Sequence, residues 1–599
     1  MVDEQHTVRN VSWGEVFSFS HIFKSFKMAI HPSKIMLALV AIALTCVLGL
    51  VMDRLWSVSD EATVIKDEAW VYWQAPGRGA LMQQRTKWLE VDRVNSLALM
   101  LGQYPDITKE PAKMAKEDFS KAIGKIEGKL TDAYGKDLKK AENDWIEEGK
   151  RIKGLPEDQR SKAREDADRN HVLAKQQSLG RYVTARKNLA ALAGNGVFGA
   201  FLDWEGFCLR NALAAVRRGN IASGLADLYA QRGSKTPRAY RTATVTNVPD
   251  FDATTNDPEG YGVLAWCVLM AWGVWSMASI HWFYAIVYII AALAIWSVLG
   301  GAICRIAALH AAREEKISMA AAVKFGAGKF VSFFTAPVLP LVIIVVMGFF
   351  LAFGGFIGGL IPYVGEWFVA LLFPVALILG AIIAFVTIGL AGGWPLMWPT
   401  IAAEGSDAFD AISRSFSYIY ARPFRYGLYW LVAAVYGTIC YLFVRVFAFL
   451  TLLATHTWAG WAMRLSSQEH YAFGAGKLDV MWAKPTFESF HGPWQFEAMT
   501  RWTEQWTAVI LSVWVYLVAG VVLAFLATFL LSAATNIYYI LRQKVDATDL
   551  DDVYIEEEEE APALPDETAP EGADAPADEA PPADEADDAA SDAGDDKPE

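Results

Sequence analysis

The sequence predicts an all-α, polytopic helical membrane protein with about six spans, amphipathic helices at the membrane interface and a helical extracytoplasmic insert. Of the 599 residues, 54% are hydrophobic. Several apolar runs are long enough to cross a bilayer, and Lys and Arg cluster at their edges. The predicted spans lie at 35–52, 282–303, 338–360, 368–392, 426–448 and 507–533.

The distribution of Lys and Arg predicts the orientation of these spans. The segment 304–329 is rich in basic residues, whereas the connection 361–367 contains no Lys or Arg. Because basic loops are retained in the cytoplasm, both termini are predicted to be cytoplasmic, in the inner membrane of a bacterium. An apolar segment at 263–278 would reverse this pattern if it crossed the membrane. We therefore expect it to be an outer-surface helix that continues into the second span.

The chain divides into five predicted parts. These are a cytoplasmic N-terminus with an amphipathic helix (1–34), span 1 (35–52), an extracytoplasmic insert (53–260), a membrane domain with spans 2–6 (261–544) and a cytoplasmic tail (545–599). The tail carries 23 acidic side chains against the single basic residue Lys597. With so few large apolar residues it is predicted to be disordered, either as a solvating segment or as one that attracts a basic partner.

The insert is predicted to contain a helical hairpin. A narrow apolar stripe with helical spacing consists of Phe119, Ile123, Ile126, Leu130, Tyr134 and Leu138. The sequence Gly154-Leu155-Pro156 then ends one helix and starts another. This predicts a coiled-coil hairpin projecting from the membrane, and the alternative is a solvated helix without a partner. Residues 198–216 are expected to return the chain to the membrane surface, and 234–260 to form a loop.

A unit consisting of a surface helix followed by a span recurs three times. The three copies lie at 12–52, 318–360 and 404–456. In each copy basic and aromatic residues precede a proline, and the apolar run follows. Because proline disfavours helical geometry at the residue before it, the first helix is predicted to break at Pro32 and the second at Pro337. Ser318 is the predicted cap of the second helix.

The third copy is the clearest. One face carries Phe409, Ile412, Phe416 and Ile419, and the other carries Asp407, Asp410, Arg414 and Ser417. This spacing is typical of an amphipathic helix. Ser406 or Asp407 is the predicted N-cap, and Asp410 and Arg414 have the spacing of an i,i+4 ion pair.

This helix is predicted to end at Pro423, between Arg422 and Arg425. We expect it to lie in the inner interface of the membrane with its aromatic face down. The alternative is a helix packed on the protein's own cytoplasmic loops.

Part of this unit resembles a segment of known bacterial membrane proteins. Gly405, Ala408, Ala411, Ser415 and Arg425 are similar to a segment in the membrane region found beside some glycerophosphodiester phosphodiesterases. More broadly, the chain resembles uncharacterised bacterial multi-span integral membrane proteins. The resemblance implies no phosphodiesterase activity, because that family's His-Arg-Gly signature and its catalytic domain are absent.

Glycine pairs predict close helix packing in two spans. Two interleaved G-x-x-x-G pairs in the third span consist of Gly354, Gly355, Gly358 and Gly359, and the fourth span ends with Gly389 and Gly393. Such spacing lets helix backbones approach closely. A pore or hinge is the alternative role.

Arg445 is the strongest candidate for a charge inside the membrane. At the α-helical rise it lies about 28 Å from Tyr426, near the outer end of the fifth span. We expect its guanidinium to snorkel to the outer interface. The alternative is a buried functional role, as is usual for intramembrane charges.

No catalytic or cofactor motif is present. The sequence contains no P-loop, no H-E-x-x-H, no G-x-S-x-G and no Cys/His metal cluster, so we predict no enzyme activity, no cofactor, no metal and no nucleic-acid partner. We expect a non-enzymatic scaffold, assembly or sensor subunit that contacts membrane lipids and binds protein partners through 53–260 and the acidic tail. The alternative is a permease or channel component that uses the Gly-rich third and fourth spans.

Overall fold

The computed structural model describes residues 18–56, 68–74, 77–79, 82, 119–193, 196–233, 260–360, 364–466, 476–492, 499 and 502–554. These residues form helices without a single strand, as the predicted all-α fold class requires. The protein is a multi-pass helical membrane protein. The predicted loop at 234–260, all but its last residue, and residues 555–599 of the predicted tail lie outside the described residues.

The helices follow one another in chain order, after a 3-10 turn at Ser18–Phe23. They are α1 (Lys24–Ala29), α2 (Pro32–Trp56), α3 (Glu68–Gln74), α4 (Phe119–Lys153), α5 (Glu157–Ala193), α6 (Val197–Arg217), α7 (Leu225–Ala230), α8 (Val263–Ile280), α9 (Trp282–Arg313), α10 (Met319–Gly328), α11 (Phe330–Leu360), α12 (Val364–Glu404), α13 (Ala408–Ala421), α14 (Pro423–Ser466), α15 (Lys477–Met481) and α16 (Trp502–Asp546). We call the end of the bundle where α2 ends the insert end. The opposite end, where α16 ends, is the tail end.

Seven described helices are long and apolar enough to cross a membrane: α2, α8, α9, α11, α12, α14 and α16. Six contain the predicted spans and extend beyond them at one or both ends. The seventh, α8, ends at a backbone break at His281 (φ −106°, ψ 48°). Its buried residues Trp266 and Leu269 pack with residues of α3 and α6, which belong to the insert. Helix α8 meets the same length and composition criterion as the other six, so its placement on the outer surface stays a prediction.

The main core lies at the tail end of the bundle. The second half of α16 runs through its centre, where Phe525, Ile537 and Tyr538 are buried against residues of α1, α9, α12, α13 and α14. Helices within a membrane associate through van der Waals packing rather than through transfer of apolar surface out of water. The last span is therefore the element around which the tail end is assembled.

The helix pair α11 and α12 is much less enclosed. Its tail-end residues Phe333 and Leu396 belong to the main core. Farther along, Phe349 is 63% exposed and Leu377 is 60% exposed. In a membrane these apolar side chains face lipid, so the two helices form a lateral pair attached to the bundle at one end.

The predicted break of the second unit is wrong. Ser318 caps α10 as expected, and its Oγ accepts from Ala321 N at 3.1 Å, but Pro337 lies inside α11. Proline has no N–H for the carbonyl four residues earlier. The indole of Trp398 donates to that Phe333 carbonyl instead, at 2.9 Å, so the helix continues through the proline.

The predicted start of the tail at 545 is also corrected. Helix α16 continues to Asp546, and the following residues lie against the tail end of the bundle. Val553 is 5% exposed. Tyr554 N donates to the Ala403 carbonyl at 2.8 Å, and the Tyr554 carbonyl accepts from Arg305 at 2.8 Å. The packed part of the chain therefore reaches Tyr554.

Candidate functional site

The predicted hairpin of the insert is present. Helices α4 and α5 pack antiparallel on each other around the turn at 154–156. Ile126 and Leu130 of the predicted stripe are each 1% exposed, and the rings of Tyr134 and Tyr182 stack across the pair with centroids 4.5 Å apart. The alternative of a solvated helix without a partner is therefore wrong.

Polar contacts fix the register of this hairpin. Arg181 pairs with Asp137 at 3.1 Å, and Lys175 Nζ pairs with Glu142 at 3.1 Å. Trp145 Nε1 donates to Asp168 at 2.8 Å. Exposed ion pairs contribute only about 0–1 kcal/mol each, so they select the register while the apolar seam supplies most of the stability.

The hairpin also carries an exposed apolar patch, which we call the hairpin patch. Its members are Trp145 (37% exposed), Ile146 (44%), Val172 (43%) and Leu173 (44%). The two helices meet at this level, because Trp145 stacks on His171 with ring centroids 5.1 Å apart. Apolar clusters exposed to water commonly mark interaction sites. The patch was not predicted from the sequence, although two adjacent apolar pairs in a charged background, Trp145-Ile146 and Val172-Leu173, indicate it.

Asp53 connects the insert to the membrane helices. Its carboxylate accepts from Phe198 N at 2.9 Å and from Gly199 N at 2.8 Å, in the first turn of α6. A carboxylate is favourable there because the helix N-terminus is positive and has free N–H groups. Tyr284 Oη of α9 donates to the same carboxylate at 2.8 Å. One side chain therefore joins the ends of α2, α6 and α9.

Helices α6 and α8 lie close together because Gly273 has no side chain. A Cβ at this position would lie 2.5 Å from Trp204 Cδ1 and 2.3 Å from Glu205 Oε1. Trp204 Nε1 donates to the Leu269 carbonyl at 3.1 Å. Glu205 Oε1 is buried and has no hydrogen-bond partner among the described residues, and burial raises the pKa of this carboxyl to about 7.

A buried contact between a histidine and a carboxylate holds the junction between α8 and α9. His281 Nε2 lies 2.9 Å from Glu68 Oε2, within hydrogen-bond distance, and the two side chains are 9% and 5% exposed. On the next residue of α3, the Ala69 carbonyl accepts from Trp272 Nε1 at 2.8 Å. These contacts attach α3 to the backbone break at which α8 leads into α9.

Arg445 is buried, so the predicted snorkelling is wrong. Its side chain is 7% exposed. Nε and Nη2 donate to the Phe487 carbonyl at 3.1 and 2.9 Å, and Nη2 also reaches the Glu488 carbonyl at 3.1 Å. The ring of Phe490 lies 4.8 Å from the guanidinium. The loop after α15 therefore provides backbone carbonyls that accept hydrogen bonds from the guanidinium at the insert end. Arg445 in turn anchors that loop.

The same loop meets the insert. Glu488 forms an ion pair with Arg217, the last residue of α6, at 3.0 Å. At the α-helical rise, Asp53 lies about 31 Å along α2 from Pro32, and Arg445 lies about 33 Å along α14 from Pro423. Helix α6 therefore joins two spans at similar depths and crosses the insert end of the bundle. We call α6, α8 and their contacts to α2, α9 and the Arg445 loop the platform.

At the tail end, the third repeated unit begins and ends as predicted. Asp407, one of the two candidate caps, accepts from Asp410 N at 2.9 Å. Helix α13 ends at Ala421, and Pro423 begins α14. The predicted pair of Asp410 with Arg414 is replaced by Arg414 with Glu404 at 3.0 Å.

Arg414 turns to Glu404 because that carboxylate is a buried hub. Arg542 Nε lies 3.3 Å from it, and the Tyr538 hydroxyl donates to it. Arg422 reaches the Lys544 carbonyl at 3.5 Å, whereas Arg425 is exposed. Tyr538, Arg542 and Lys544 are more than a hundred positions from the residues that they contact, and a local spacing rule does not detect such contacts.

Helix α13 packs mainly on the span helix α12, whereas the alternative that the sequence left open was packing on the protein's own cytoplasmic loops. Ala411, Ser415 and Tyr418 are buried, while Phe409 of the predicted apolar face is 71% exposed. The ring of Phe416 lies over Gly389 and Gly393 of α12. A Cβ at Gly389 would lie 2.7 Å from that ring. Two sets of residues predicted separately therefore meet in one contact.

The glycines of the third span behave differently. A Cβ at Gly358 would lie 2.1 Å from Val369 Cγ2 of α12. At Gly354, Gly355 and Gly359 nothing lies within 4 Å of that position. The predicted close packing is therefore made by Gly358 alone among the four.

The described residues include no group of three His, Cys, Asp or Glu side chains placed to hold a metal ion. An open groove of about 300 Å³ lies along the surface of α2 and is lined by Val47, Leu50, Val51, Arg54 and Leu55. No family model matches the chain, and no curated protein or solved structure matches it either.

Proposed function

We propose that this protein is a non-enzymatic scaffold, assembly or sensor subunit of a bacterial inner membrane, with both termini cytoplasmic. It binds a partner protein outside the cytoplasm through the hairpin patch. The observation that carries the proposal is this exposed apolar cluster on a hairpin whose seam is otherwise closed by Ile126 and Leu130. Tryptophan with neighbouring aliphatic side chains is the usual centre of a protein interface.

The platform supports a scaffold or sensor role. Three contacts attach the insert to the membrane helices: that of Asp53 with α6, that of Glu68 with His281, and that of Arg217 with Glu488. Short polar contacts of this kind resist displacement of one element against another. A load applied to the insert by a partner is therefore passed to α2, α9 and α14.

The charge pattern supports the orientation. Three basic residues lie in the last turn of α9 or soon after it, at the tail end of the bundle: Arg313, Lys316 and Lys324. The helices α4 and α5 belong to the insert, at the opposite end. Basic residues favour the cytoplasmic side. The hairpin patch is then exposed to the extracytoplasmic space.

The test is purification in mild detergent followed by quantitative mass spectrometry of bound proteins. Ile146→Asp combined with Leu173→Asp puts two charges into the hairpin patch, and the expected result is loss of proteins that bind the wild type. Asn170→Asp is the matched control, because it adds a carboxylate at an exposed position on α5 outside the patch. An unchanged set of bound proteins in the double variant would contradict the proposal.

A permease or channel component is the second candidate. It is favoured by the exposed middle of α11 and α12, exemplified by Phe349 and Leu377, because such helices are free to line a path together with another subunit. Reconstitution into liposomes tests it. Solute or ion flux that is lost on substituting these two residues would support transport over the scaffold role.

A further inference from the structure

A cluster of basic side chains surrounds the start of α2 at the tail end. Its centre is Lys34, which is 0% exposed. Its ammonium has one hydrogen-bond partner among the described residues, the neutral Ser532 hydroxyl at 3.4 Å, and the Cys304 thiol also faces it. A buried ammonium without a carboxylate loses its hydration and gains no counter-charge, which costs several kcal/mol.

Two histidines lie beside this ammonium. The rings of His31 and His310 are 6.3 Å apart. His31 Nδ1 is buried and has no hydrogen-bond partner among the described residues. Burial lowers the pKa of His31, and the nearby charges of Lys34 and Lys316 lower it further.

Among the described residues, the acidic groups nearby do not balance this positive charge. Lys27, Lys34 and His31 all lie within electrostatic range of His310, and Glu314 is the one described carboxylate that acts on it. The first turn of α2 adds the positive end of a helix dipole. The cluster therefore has an excess of positive charge and unused hydrogen-bond capacity, which is the chemistry that recognises phosphate.

The depth of the cluster indicates which phosphate is available. The apolar run of α2 begins at Ile35, directly after Lys34, and His310 lies in the last turns of α9. The cluster is thus level with the edge of the apolar layer. Basic pockets between membrane helices at this depth bind anionic lipid headgroups.

We propose that His31, His310 and Lys316, with the Lys34 ammonium buried beneath them, form a binding site for the phosphate group of an anionic phospholipid headgroup. The phosphate accepts hydrogen bonds from the histidines and from Lys316, and its charge offsets that of Lys34. This site is independent of the hairpin patch and of the proposed scaffold role. Inorganic phosphate carries the same chemistry, so the test includes it as a separate ligand.

The experiment measures thermal unfolding of the full-length protein in a neutral detergent with added ligand. Phosphatidylglycerol is expected to raise the Tm, whereas phosphatidylcholine has no such effect. In the variant with His31→Gln and Lys316→Gln, the concentration of phosphatidylglycerol that gives half of the maximal rise in Tm should be about tenfold higher than in the wild type, or more. Stabilisation by inorganic phosphate at equal concentration would identify free phosphate as the ligand of the site, and its absence would identify the lipid.

The control variant is Lys24→Gln with Lys324→Gln, which removes two exposed positive charges at the same end of the bundle. It should respond to phosphatidylglycerol like the wild type. Lipid retention in native mass spectrometry provides a second measurement that does not depend on the Tm of the variant. An equal response of both double variants in the two measurements would overturn the site.

Discussion

Two antiparallel helix pairs of this protein, α4–α5 and α11–α12, differ mainly in the solvent that surrounds them. In α4–α5 the seam is apolar and the outer faces carry ion pairs such as Asp137 with Arg181. In α11–α12 the outer faces are apolar, with Leu377 60% exposed. An exposed apolar side chain therefore indicates a binding site only on α4–α5, the pair surrounded by water. On α11–α12 it belongs to the lipid-facing surface.

The largest effect is expected from placing a carboxylate on each pair. Leu377→Asp puts a charge in the apolar middle of α12, which costs about 3 kcal/mol at the centre of a membrane helix, so membrane insertion and yield should fall sharply. Leu173→Asp on α5 should leave both unchanged, because this side chain faces water. Yield in the membrane fraction and Tm in detergent measure the difference, and equal losses would remove the contrast between the two pairs.

The attachment of α11–α12 to the bundle gives the next largest effect. Phe416→Asp buries a charge against Gly389 and Gly393 of α12, and the expected loss of stability is a few kcal/mol. Ser417→Asp, one residue later and exposed, should be almost silent. Thermal unfolding in detergent measures both variants. Similar losses would mean that α13 does not pack on α12.

Glycine substitutions test the close approach of α11 and α12 near the connection between them. A Cβ at Gly365 would lie 2.0 Å from the Gly358 carbonyl oxygen, which belongs to rigid backbone. Gly365→Ala should therefore cost about 1–3 kcal/mol. Gly359→Ala meets nothing within 4 Å and should be neutral or slightly stabilising, since alanine is the better helix former. A neutral Gly365→Ala in the same unfolding assay would contradict the close approach.

The smallest expected effect is the pH dependence of stability that Glu205 of α6, in the insert, contributes. Because burial raises the pKa of Glu205 to about 7 in the folded protein, the folded state holds a proton that the unfolded state has lost between about pH 4.5 and 7. Stability should therefore fall as the pH rises through that window and then level off. Glu205→Gln should reduce this fall, as measured by Tm at pH 5 and pH 8. Solvent screening keeps the effect small, and parallel curves for both proteins would contradict it.

The sequence was sufficient where a pattern is local. The stripe containing Ile126 and Leu130 predicted α4, and the turn at 154–156 predicted its pairing with α5. It was insufficient where the partner is distant in the chain. Pro337 is tolerated because Trp398 supplies a donor, and Arg445 is buried because a loop more than forty residues later returns over it. Neither partner has a spacing rule that would reveal it.

The hairpin patch shows a related limit. Its four residues are ordinary in composition, and they are informative only because α4 and α5 bring Trp145 into contact with His171, the residue before Val172. The basic cluster at Lys34 is similar. Its histidines are separated by 279 positions in the chain, and only the packing of α2 against α9 brings them within 6.3 Å.

The most direct test of the account is a pair of topology reporter fusions, one after residue 150 and one after residue 315. The account predicts an extracytoplasmic signal at 150, where the hairpin lies, and a cytoplasmic signal at 315, just beyond α9. A cytoplasmic signal at 150 would contradict the placement of the hairpin patch outside the cell. An extracytoplasmic signal at both positions would show that α8 crosses the membrane as a seventh span and would contradict the platform at the outer surface.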